Sequence, residues 1–320
     1  MATYKEIFGT NIEVLASDPS NPVEGQVWYN STSNVVKGAS VTTVGAWATG
    51  GNLNTGRQSL GGIGTQTSAL AFGSPALTES YDGTSWTEVN DLNTGRSGIR
   101  GGGTQTSAVA FGGYTTNVVA NTESWNGTSW TEVNDLNTAR YILGGTGSSN
   151  TNAIAFAGYV PGPPFGTAVS EKWNGTSWTN TPSLNTARYA LAGTGADNTS
   201  AIAAGGSNPG SPFGGSAVFT EIWNDTAWTE VADLNQGRGA SPGAAGTVTS
   251  ALIYSSSYTE LWNGTSWTAD TALSTARIEL GGAGSATSAL AFGGEVPPTT
   301  AATEEWTGAG APLTRTFTDS

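Results

Sequence analysis

Residues Thr122–Gly158 read TESWNGTSWTEVNDLNTARYILGGTGSSNTNAIAFAG, and close copies of this stretch recur along most of the chain. Thr122–Trp125 is a β-prone run, and a second such run returns from Trp130. The Asn126-Gly127 pair between them predicts a two-residue type I′ turn, because both residues tolerate positive φ. Two further runs follow, the first after Arg140 and the second an apolar one over 153–156. Each copy thus predicts four short strands in about forty residues, the size of one blade of a β-propeller.

Three features recur once per copy, and they fix the number of copies. A loop arginine recurs as Arg57, Arg96, Arg140, Arg188, Arg238 and Arg277. A third-strand aromatic residue recurs as Tyr81, Trp125, Trp173, Trp223, Trp262 and Trp306. A fourth-strand tryptophan recurs as Trp47, Trp86, Trp130, Trp178, Trp228 and Trp267. Each series has six members, so the repeat predicts six blades.

The two aromatic series are out of phase at the chain ends. Trp47 has no third strand before it, and Trp306 has no fourth strand after it. If the segment near Val41–Thr49 pairs with the one near Thr303–Trp306, no blade keeps an open edge. We therefore expect an all-β fold, with a six-bladed β-propeller over residues 41–308 that is closed by its own N-terminal strand.

The composition fits a turn-rich β protein and argues against several functions. Of 320 residues, 46 are Gly and 12 are Trp, and only 11% are charged. The net charge of −13 argues against nucleic acid or an anionic membrane surface as a partner. The absence of Cys and His removes thiol chemistry, the commonest general base and the commonest metal ligand, so we expect neither cofactor nor metal. We expect no signal peptide and no membrane insertion, because no segment has the required apolar run.

Residues 1–40 lie outside the repeat. The runs GQVWYN over 25–30 and VVK over 35–37 predict a β-hairpin that contains Trp28, Tyr29 and Lys37. A lone hairpin is marginally stable in water, so we expect this arm to be docked either on the propeller of its own chain or on another chain. Residues 309–320 are predicted to form a separate C-terminal tail.

The repeat resembles the kelch β-propeller pattern of an arginine, a glycine pair, a third-strand Tyr or Trp and a fourth-strand Trp. The glycine pair is present as Gly112-Gly113, Gly205-Gly206 and Gly293-Gly294 and is replaced in the other three copies. The arm resembles a segment common in phage tail and virion proteins, DPxNPxEGQxWYNxxxxxxK, which lies here at Asp18–Lys37. Together the resemblances imply a phage structural protein located in the virion, part of a multimeric assembly and held to other virion proteins through residues 1–40.

The loops that join second and third strands vary in length, whereas the turns that join third and fourth strands hardly change. The loops between second and third strands are long in the second, third and fourth copies, over Tyr114–Ala120, Tyr159–Val169 and Ser207–Val218. Because strands alternate in direction within a blade, we expect these long loops to lie on the same face as the arginine loops. The arm should enter the ring from the opposite face. Variable loops on a fixed scaffold often bind partners, although long loops are also tolerated without a role. The candidate contacts to a host-surface glycan or protein are Tyr114, Tyr159, Phe165 and Phe213.

The recurring arginines and tryptophans each allow two interpretations. A ring of guanidinium groups could hold an anion or an acidic sugar. Alternatively, each arginine pairs with a recurring acid, from Asp91, Asp135 and Asp233 or from Glu79, Glu123, Glu171, Glu221, Glu260 and Glu304. Recurrence in every copy favours a structural role for the arginines, and it favours packing between blades over sugar stacking for the tryptophans.

Three functions remain open. The chain could be a non-catalytic virion structural protein that contacts neighbouring subunits, a receptor- or glycan-binding module for host attachment at a tail fibre, or a polysaccharide hydrolase. Ser80–Trp86 faintly resembles the SxDxGxTW box of sialidases, but one residue is missing between Asp82 and Gly83. No unique acidic pair of the kind that glycoside hydrolysis needs stands out, so we expect no enzymatic activity and no catalytic residue.

Overall fold

The structure, a computed structural model, describes residues 12–19, 25–41, 44–208, 215–309 and 312–317. The described residues form seven four-stranded β-sheets, an all-β arrangement that fits a β-propeller. The chain divides into two compact units, Trp47–Trp306 and Met1–Ala46 with Thr307–Ser320. Six sheets are built mainly from the larger unit, and the seventh belongs to the smaller one.

The six sheets of the larger unit follow the sequence repeat. The first contains β5 (Gly61–Thr65), β6 (Ser68–Phe72), β7 (Thr78–Tyr81) and β8 (Trp86–Glu88). The second contains β9 (Arg100–Thr104), β10 (Ser107–Phe111), β11 (Thr122–Trp125) and β12 (Trp130–Val133). The third contains β13 (Gly144–Ser149), β14 (Asn152–Phe156), β15 (Ser170–Trp173) and β16 (Trp178–Thr181).

The remaining three sheets continue the same order. The fourth contains β17 (Ala192–Asp197), β18 (Ser200–Ala204), β19 (Thr220–Trp223) and β20 (Trp228–Glu230). The fifth contains β21 (Gly243–Thr247), β22 (Ser250–Ser255), β23 (Tyr258–Trp262) and β24 (Trp267–Asp270). The sixth contains β25 (Gly281–Gly284), β26 (Ser288–Phe292), β27 (Thr303–Thr307) and β4 (Ala46–Thr49).

The sixth sheet takes its outer strand from the N-terminal side of the chain, in the order β25-β26-β27-β4. Trp47 on β4 packs against Trp306 on β27, with ring centroids 5.2 Å apart. The expected start of this strand near Val41 is wrong, because β4 begins at Ala46. Val41 pairs with Pro312 in the smaller unit, and strand propensity alone could not assign it to one sheet or the other.

The first strands lie close together because they are rich in glycine. They contact one another in the order β5, β9, β13, β17, β21, β25 and again β5. A Cβ atom on Gly145 would lie 2.6 Å from Cζ of Phe111, and one on Gly102 would lie 2.5 Å from the backbone nitrogen of Gly147. A small cavity of ≈ 100 Å³ remains between these strands. The second strands, such as Ser107–Phe111, are buried along almost their whole length, as their apolar runs predict.

The turn between third and fourth strands differs from the prediction. Residues 126–129 separate β11 from β12, so the loop has four residues and is not a two-residue type I′ turn. The side chain of Asn126 accepts hydrogen bonds from the amides of Thr128 and Ser129, both at 2.9 Å. Only Gly127 has a positive φ, of 92°. The asparagine therefore acts as a side-chain acceptor that holds the turn, a role that does not require left-handed backbone at Asn126.

The sheet of the smaller unit has the order β1 (Glu13–Leu15), β2 (Val27–Asn30), β3 (Val35–Val41) and β28 (Pro312–Phe317). The predicted hairpin is therefore present as β2 and β3. The prediction that 309–320 form a separate tail is wrong, because β28 pairs antiparallel with β3. The β2–β3 hairpin presents an unpaired edge on each side, and β1 and β28 cover those two edges.

Asp18 connects the strands of this smaller sheet. Its carboxylate accepts hydrogen bonds from Trp28 Nε1 at 3.1 Å and Asn30 Nδ2 at 2.7 Å, and it pairs with Lys37 Nζ at 2.7 Å. Trp28 is fully buried, while the Tyr29 hydroxyl donates to Asn34. These contacts hold the pKa of Asp18 down, to about 2, chiefly through the hydrogen bond from Lys37.

Candidate recognition surface

Each recurring arginine forms an ion pair with the third-strand glutamate of its own copy. The nitrogen–oxygen distances run from 2.6 Å for Arg96–Glu123 to 3.2 Å for Arg277–Glu304. The other pairs are Arg57–Glu79, Arg140–Glu171, Arg188–Glu221 and Arg238–Glu260. All of these side chains are buried, and burial lowers the pKa of each arginine while its glutamate opposes that shift. The guanidinium groups therefore pair with carboxylates of their own chain.

The loop before each arginine supplies further donors to the same carboxylate. In the second copy the backbone N–H and side-chain amide of Asn93 donate to Glu123 Oε2, at 2.7 and 2.9 Å. The aspartate in this loop has another role, since Asp91 accepts from the amide of Thr78. The Leu-Asn-Thr-x-Arg motif indicates that the asparagine and the arginine bind the same carboxylate. The prediction from sequence used only the arginine of this motif.

The recurring tryptophans pack between sheets. Trp130, for example, packs against Phe72 of the preceding sheet, with ring centroids 5.3 Å apart. Trp130 Nε1 donates to Thr78 Oγ1 of the preceding sheet at 3.1 Å, and Trp178 donates in the same way to Thr122. Their indole rings are therefore buried in contacts within the chain and present no stacking face for a sugar.

A set of backbone hydrogen bonds links the loops that lead into the first strands. The amide of Gly98 donates to the carbonyl of Ser59, and the amides of Ile142, Ala190 and Ser241 continue the series, each donating to the residue before it. The amide of Glu279 donates to the carbonyl of Ala240, the neighbour of Ser241. The amide of Ser59 donates to the carbonyl of Glu279 at 2.8 Å, so the last residue of the series connects to the first. We call these six residues the amide belt. Every one has a positive φ, including Ile142 at 45°, a conformation that costs a β-branched residue free energy.

Residues of the long loops and of the arginine loops form an aromatic row next to this belt. Ring centroids are 5.5 Å apart for Tyr114–Tyr141, 5.0 Å for Tyr141–Tyr159 and 5.6 Å for Tyr159–Tyr189. Phe165 stacks on Tyr159 with centroids 5.8 Å apart. Tyr114 is 41% exposed and Phe165 is 42% exposed, and the other three rings are half-buried. The row therefore forms one connected aromatic surface across the second, third and fourth copies.

The structure brings together three of the four predicted contact residues, Tyr114, Tyr159 and Phe165, and Phe213 lies outside the described residues. Sequence reasoning missed Tyr141 and Tyr189. Both directly follow a recurring arginine, a position that holds Gln58, Ser97, Gly239 and Ile278 in the other copies. The loops pair through isolated bridges, Tyr141 with Tyr159 and Tyr189 with Ser207, which is why residues distant in sequence meet in this row. The sequence feature that could have identified Tyr141 and Tyr189 is the Arg-Tyr dipeptide, which occurs in two of the six copies.

A cavity of ≈ 380 Å³ lies beside one end of the aromatic row. It is lined by Ser74, Pro75, Gly95, Arg96, Ser97, Tyr114 and Thr115. A volume of this size accommodates a small ligand or one sugar residue. Burial raises the pKa of Tyr141 in the neighbouring part of the row, so its hydroxyl stays neutral and can donate a hydrogen bond at physiological pH.

No helix among the described residues is long and apolar enough to cross a membrane. In the same described ranges, no three acidic, cysteine or histidine residues are grouped so that they could hold a metal ion.

The comparisons with known proteins concern the fold alone. No protein-family model and no curated protein matches the chain. Among 488 matching solved chains is one described as the structure of YjhT, which has a β-propeller-type fold. It aligns with a TM-score of 0.65 at 14% identity, over 79% of this chain and 95% of that one. This likeness supports a β-propeller for the present chain and says nothing of its ligand.

Proposed function

We propose that the chain is a non-catalytic structural protein of a phage virion, with a six-bladed, kelch-like β-propeller that presents its loop face to a protein or host surface. Residues 1–40 attach it to other virion proteins in a multimeric assembly. The resemblance of Asp18–Lys37 to phage virion segments supports the location. The observation that carries the contact role is the aromatic row, because connected aromatic surface at loop tips is typical of recognition sites.

Six blades and closure by β4 are supported by links between neighbouring sheets. The amide belt contains one residue from each of the six repeat sheets' entry loops. Trp86 donates to Thr303, which connects the first sheet to the sixth, and Trp47 donates to Thr259, which connects the sixth to the fifth. In an open stack the first and sixth sheets would not share the Trp86–Thr303 hydrogen bond.

The absence of catalysis is supported by the surroundings of the recurring acids. A hydrolase of the paired-carboxylate type needs one acid with a raised pKa and a second that stays ionised, both in reach of substrate. Here each third-strand glutamate is buried and bound to an arginine, as in Arg96–Glu123. Burial and pairing keep these carboxylates away from solvent, which favours a structural role over the hydrolase alternative.

The test replaces aromatic residues of the row and measures two properties of the virus. Tyr159→Ala with Phe165→Ala removes the most connected pair, which stacks at 5.8 Å. We expect particles that incorporate the protein normally, measured by gel densitometry, but adsorb to host cells at least about tenfold more slowly, the effect of losing about 1.4 kcal/mol of binding. Tyr258→Ala is the matched control, because Tyr258 is 48% exposed and lies outside the row.

Two outcomes would contradict the proposal in different ways. Unchanged adsorption with unchanged incorporation would remove the aromatic row from any contact role. A protein absent from purified particles in the unmodified virus would remove the virion assignment. Incorporation that fails while the purified variant stays folded would assign the row to contacts with neighbouring subunits.

Glycan binding at a tail fibre is a second candidate, and the 380 Å³ cavity next to Tyr114 favours it. Aromatic rings beside a small polar-lined cavity suit the apolar face and the hydroxyl groups of a sugar. Binding of purified protein to host-surface polysaccharide, measured by calorimetry, should weaken at least about tenfold with Tyr114→Ala and not with Tyr258→Ala. Equal binding by all three proteins would remove this candidate.

A further inference from the structure

One residue breaks the symmetry of the glycine-rich first strands. Arg100 begins β9 and pairs with Phe111, and the equivalent positions hold Gly61, Gly144, Ala192, Gly243 and Gly281. A residue that recurs in every copy usually stabilises the repeated fold. A charged residue found in one copy cannot have that role, because the other five copies fold without it. Arg100 lies outside the recurring arginine series and therefore requires its own explanation.

The guanidinium of Arg100 is incompletely satisfied by the described residues. Nη1 donates to the carbonyl of Ile99 at 2.9 Å and, weakly, to that of Leu60 at 3.4 Å. Nε and Nη2 have no hydrogen-bond partner, and no carboxylate lies within ion-pair distance, in the part of the chain that the structure describes. These two nitrogens form one edge of the guanidinium plane, the edge that binds a carboxylate through two parallel hydrogen bonds.

That side chain lines a cavity without any other charged group. The cavity has a volume of ≈ 40 Å³, and glycines, Leu60, Pro242, Ala244 and Leu280 complete its wall. One water requires roughly 10–15 Å³ by the same measure, so the space accepts a group of about three heavy atoms, the size of a carboxylate. Arg100 is half-buried, and burial lowers its pKa to about 10, which leaves it charged at neutral pH.

We propose that Arg100 and this cavity bind a carboxylate group of a ligand, with Nε and Nη2 donating to its two oxygens. The cavity lies next to the amide belt, because Arg100 follows the belt residue Gly98 by two positions. A Cβ on Gly98 would lie 2.8 Å from Cδ2 of Tyr141, so the aromatic row touches the belt at this residue. The biological use of the site rests on the proposed recognition role of the loop face, and the site itself can be tested without it.

Glu279 is the acidic residue whose negative charge affects Arg100. Its charge raises the pKa of Arg100, although the two groups form no ion pair. Its carboxylate accepts hydrogen bonds from the hydroxyl of Ser59 and from Gln58 Nε2, which hold it in place beside the belt. A bound carboxylate is repelled by Glu279, so neutralising this residue should tighten binding. Removing the charge of Arg100 should therefore weaken carboxylate binding, and removing the charge of Glu279 should strengthen it.

The test titrates the full chain, labelled with nitrogen-15, with sodium acetate at constant ionic strength. We expect saturable shifts of the Arg100 Nε–H and Gly101 amide signals in the wild type. Arg100→Gly, which installs the residue found at Gly61, Gly144, Gly243 and Gly281, should weaken binding at least about tenfold, and Glu279→Gln should tighten it several-fold. Lys172→Met is the matched control, since it removes a cation that pairs with Asp225 at the surface.

Three results would overturn the proposal: no saturable shift in the wild type, an unchanged midpoint in Arg100→Gly, or equal shifts with chloride at the same concentration. The spectrum of Arg100→Gly without acetate checks that the variant is folded. Host adsorption of Arg100→Gly particles separates this site from the proposed function. Lost acetate binding with normal adsorption supports the site and shows that the virus does not use it for adsorption.

Discussion

Trp228 differs from the other fourth-strand tryptophans, because its indole N–H has no acceptor in the described structure. The equivalent tryptophans donate to a threonine of the preceding sheet, for example Trp178 to Thr122 and Trp267 to Thr220. The residue opposite Trp228 is Ser170, whose hydroxyl also has no partner. A threonine hydroxyl is fixed by the branched Cβ, whereas a serine hydroxyl can rotate away from the donor.

Ser170→Thr should therefore stabilise the protein. Supplying an acceptor to a buried N–H contributes about 1 kcal/mol, so we expect the free energy of unfolding to rise by about that amount. Urea denaturation measures this change. Thr122→Ser is the reverse substitution and should lower the free energy of unfolding by a similar amount, since it weakens the acceptor of Trp178. A Ser170→Thr variant no more stable than wild type would show that the hydrogen bond is not restored.

The buried pair Arg140–Glu171 makes a second prediction at the residue scale. Arg140→Met leaves Glu171 as a buried charge without its cation, which costs about 3–5 kcal/mol. Arg140→Met combined with Glu171→Leu removes both charges, so the double variant should be more stable than the single one. Urea denaturation of the three proteins compares them, with Lys172→Met as a surface control expected within about 0.5 kcal/mol of wild type. A double variant less stable than Arg140→Met would mean that the pair itself stabilises the fold.

At the scale of single elements, recurrence made the strands and their tryptophans predictable, because each copy repeats the same buried pattern. The partner of each arginine was not predictable, since an aspartate and a glutamate both recur at fixed offsets. Register decides between them: the third-strand glutamates Glu123 and Glu171 face the arginines, while Asp91 caps the start of β7. Arg100 was missed because one altered glycine among many has meaning only after the strands are aligned.

The smaller sheet should respond to acid through Asp18. Its pKa is about 2 in the folded state and 3.8 in the reference state, so its contribution to stability is present above pH 4 and is lost as the pH falls towards 2. We expect the Trp28 indole N–H signal, whose acceptor is Asp18, to broaden or shift over that interval. In Asp18→Asn the acid-dependent change should disappear. A signal that is constant from pH 5 to pH 2 in the wild type would contradict the coupling.

At the scale of the whole molecule, two sets of contacts repeat between neighbouring sheets in the larger unit, although the tryptophan hydrogen bond is missing at Trp228, between the third and fourth sheets. The tryptophan–threonine hydrogen bonds connect fourth strands to third strands, and the amide belt connects the entry loops. Neither set distinguishes the sheets at the ends of the sequence from those in the middle. In a repeat protein with free ends, terminal units unfold first because each has one neighbour instead of two.

Hydrogen exchange of the belt amides tests whether the larger unit has free ends. If six blades close through β4, the amides of Ser59 and Glu279 should open with free energies within about 1 kcal/mol of those of Ile142 and Ala190, because every belt residue then has two neighbours. The amide of Thr128, held only by Asn126 in an exposed turn, should exchange quickly and serves as the internal reference. Protection that falls steadily from Ile142 towards Ser59 and from Ala190 towards Glu279 would indicate an open stack. That result would also remove the support for a cavity enclosed by all six first strands, since those strands meet around it only when the first and sixth sheets stay in contact.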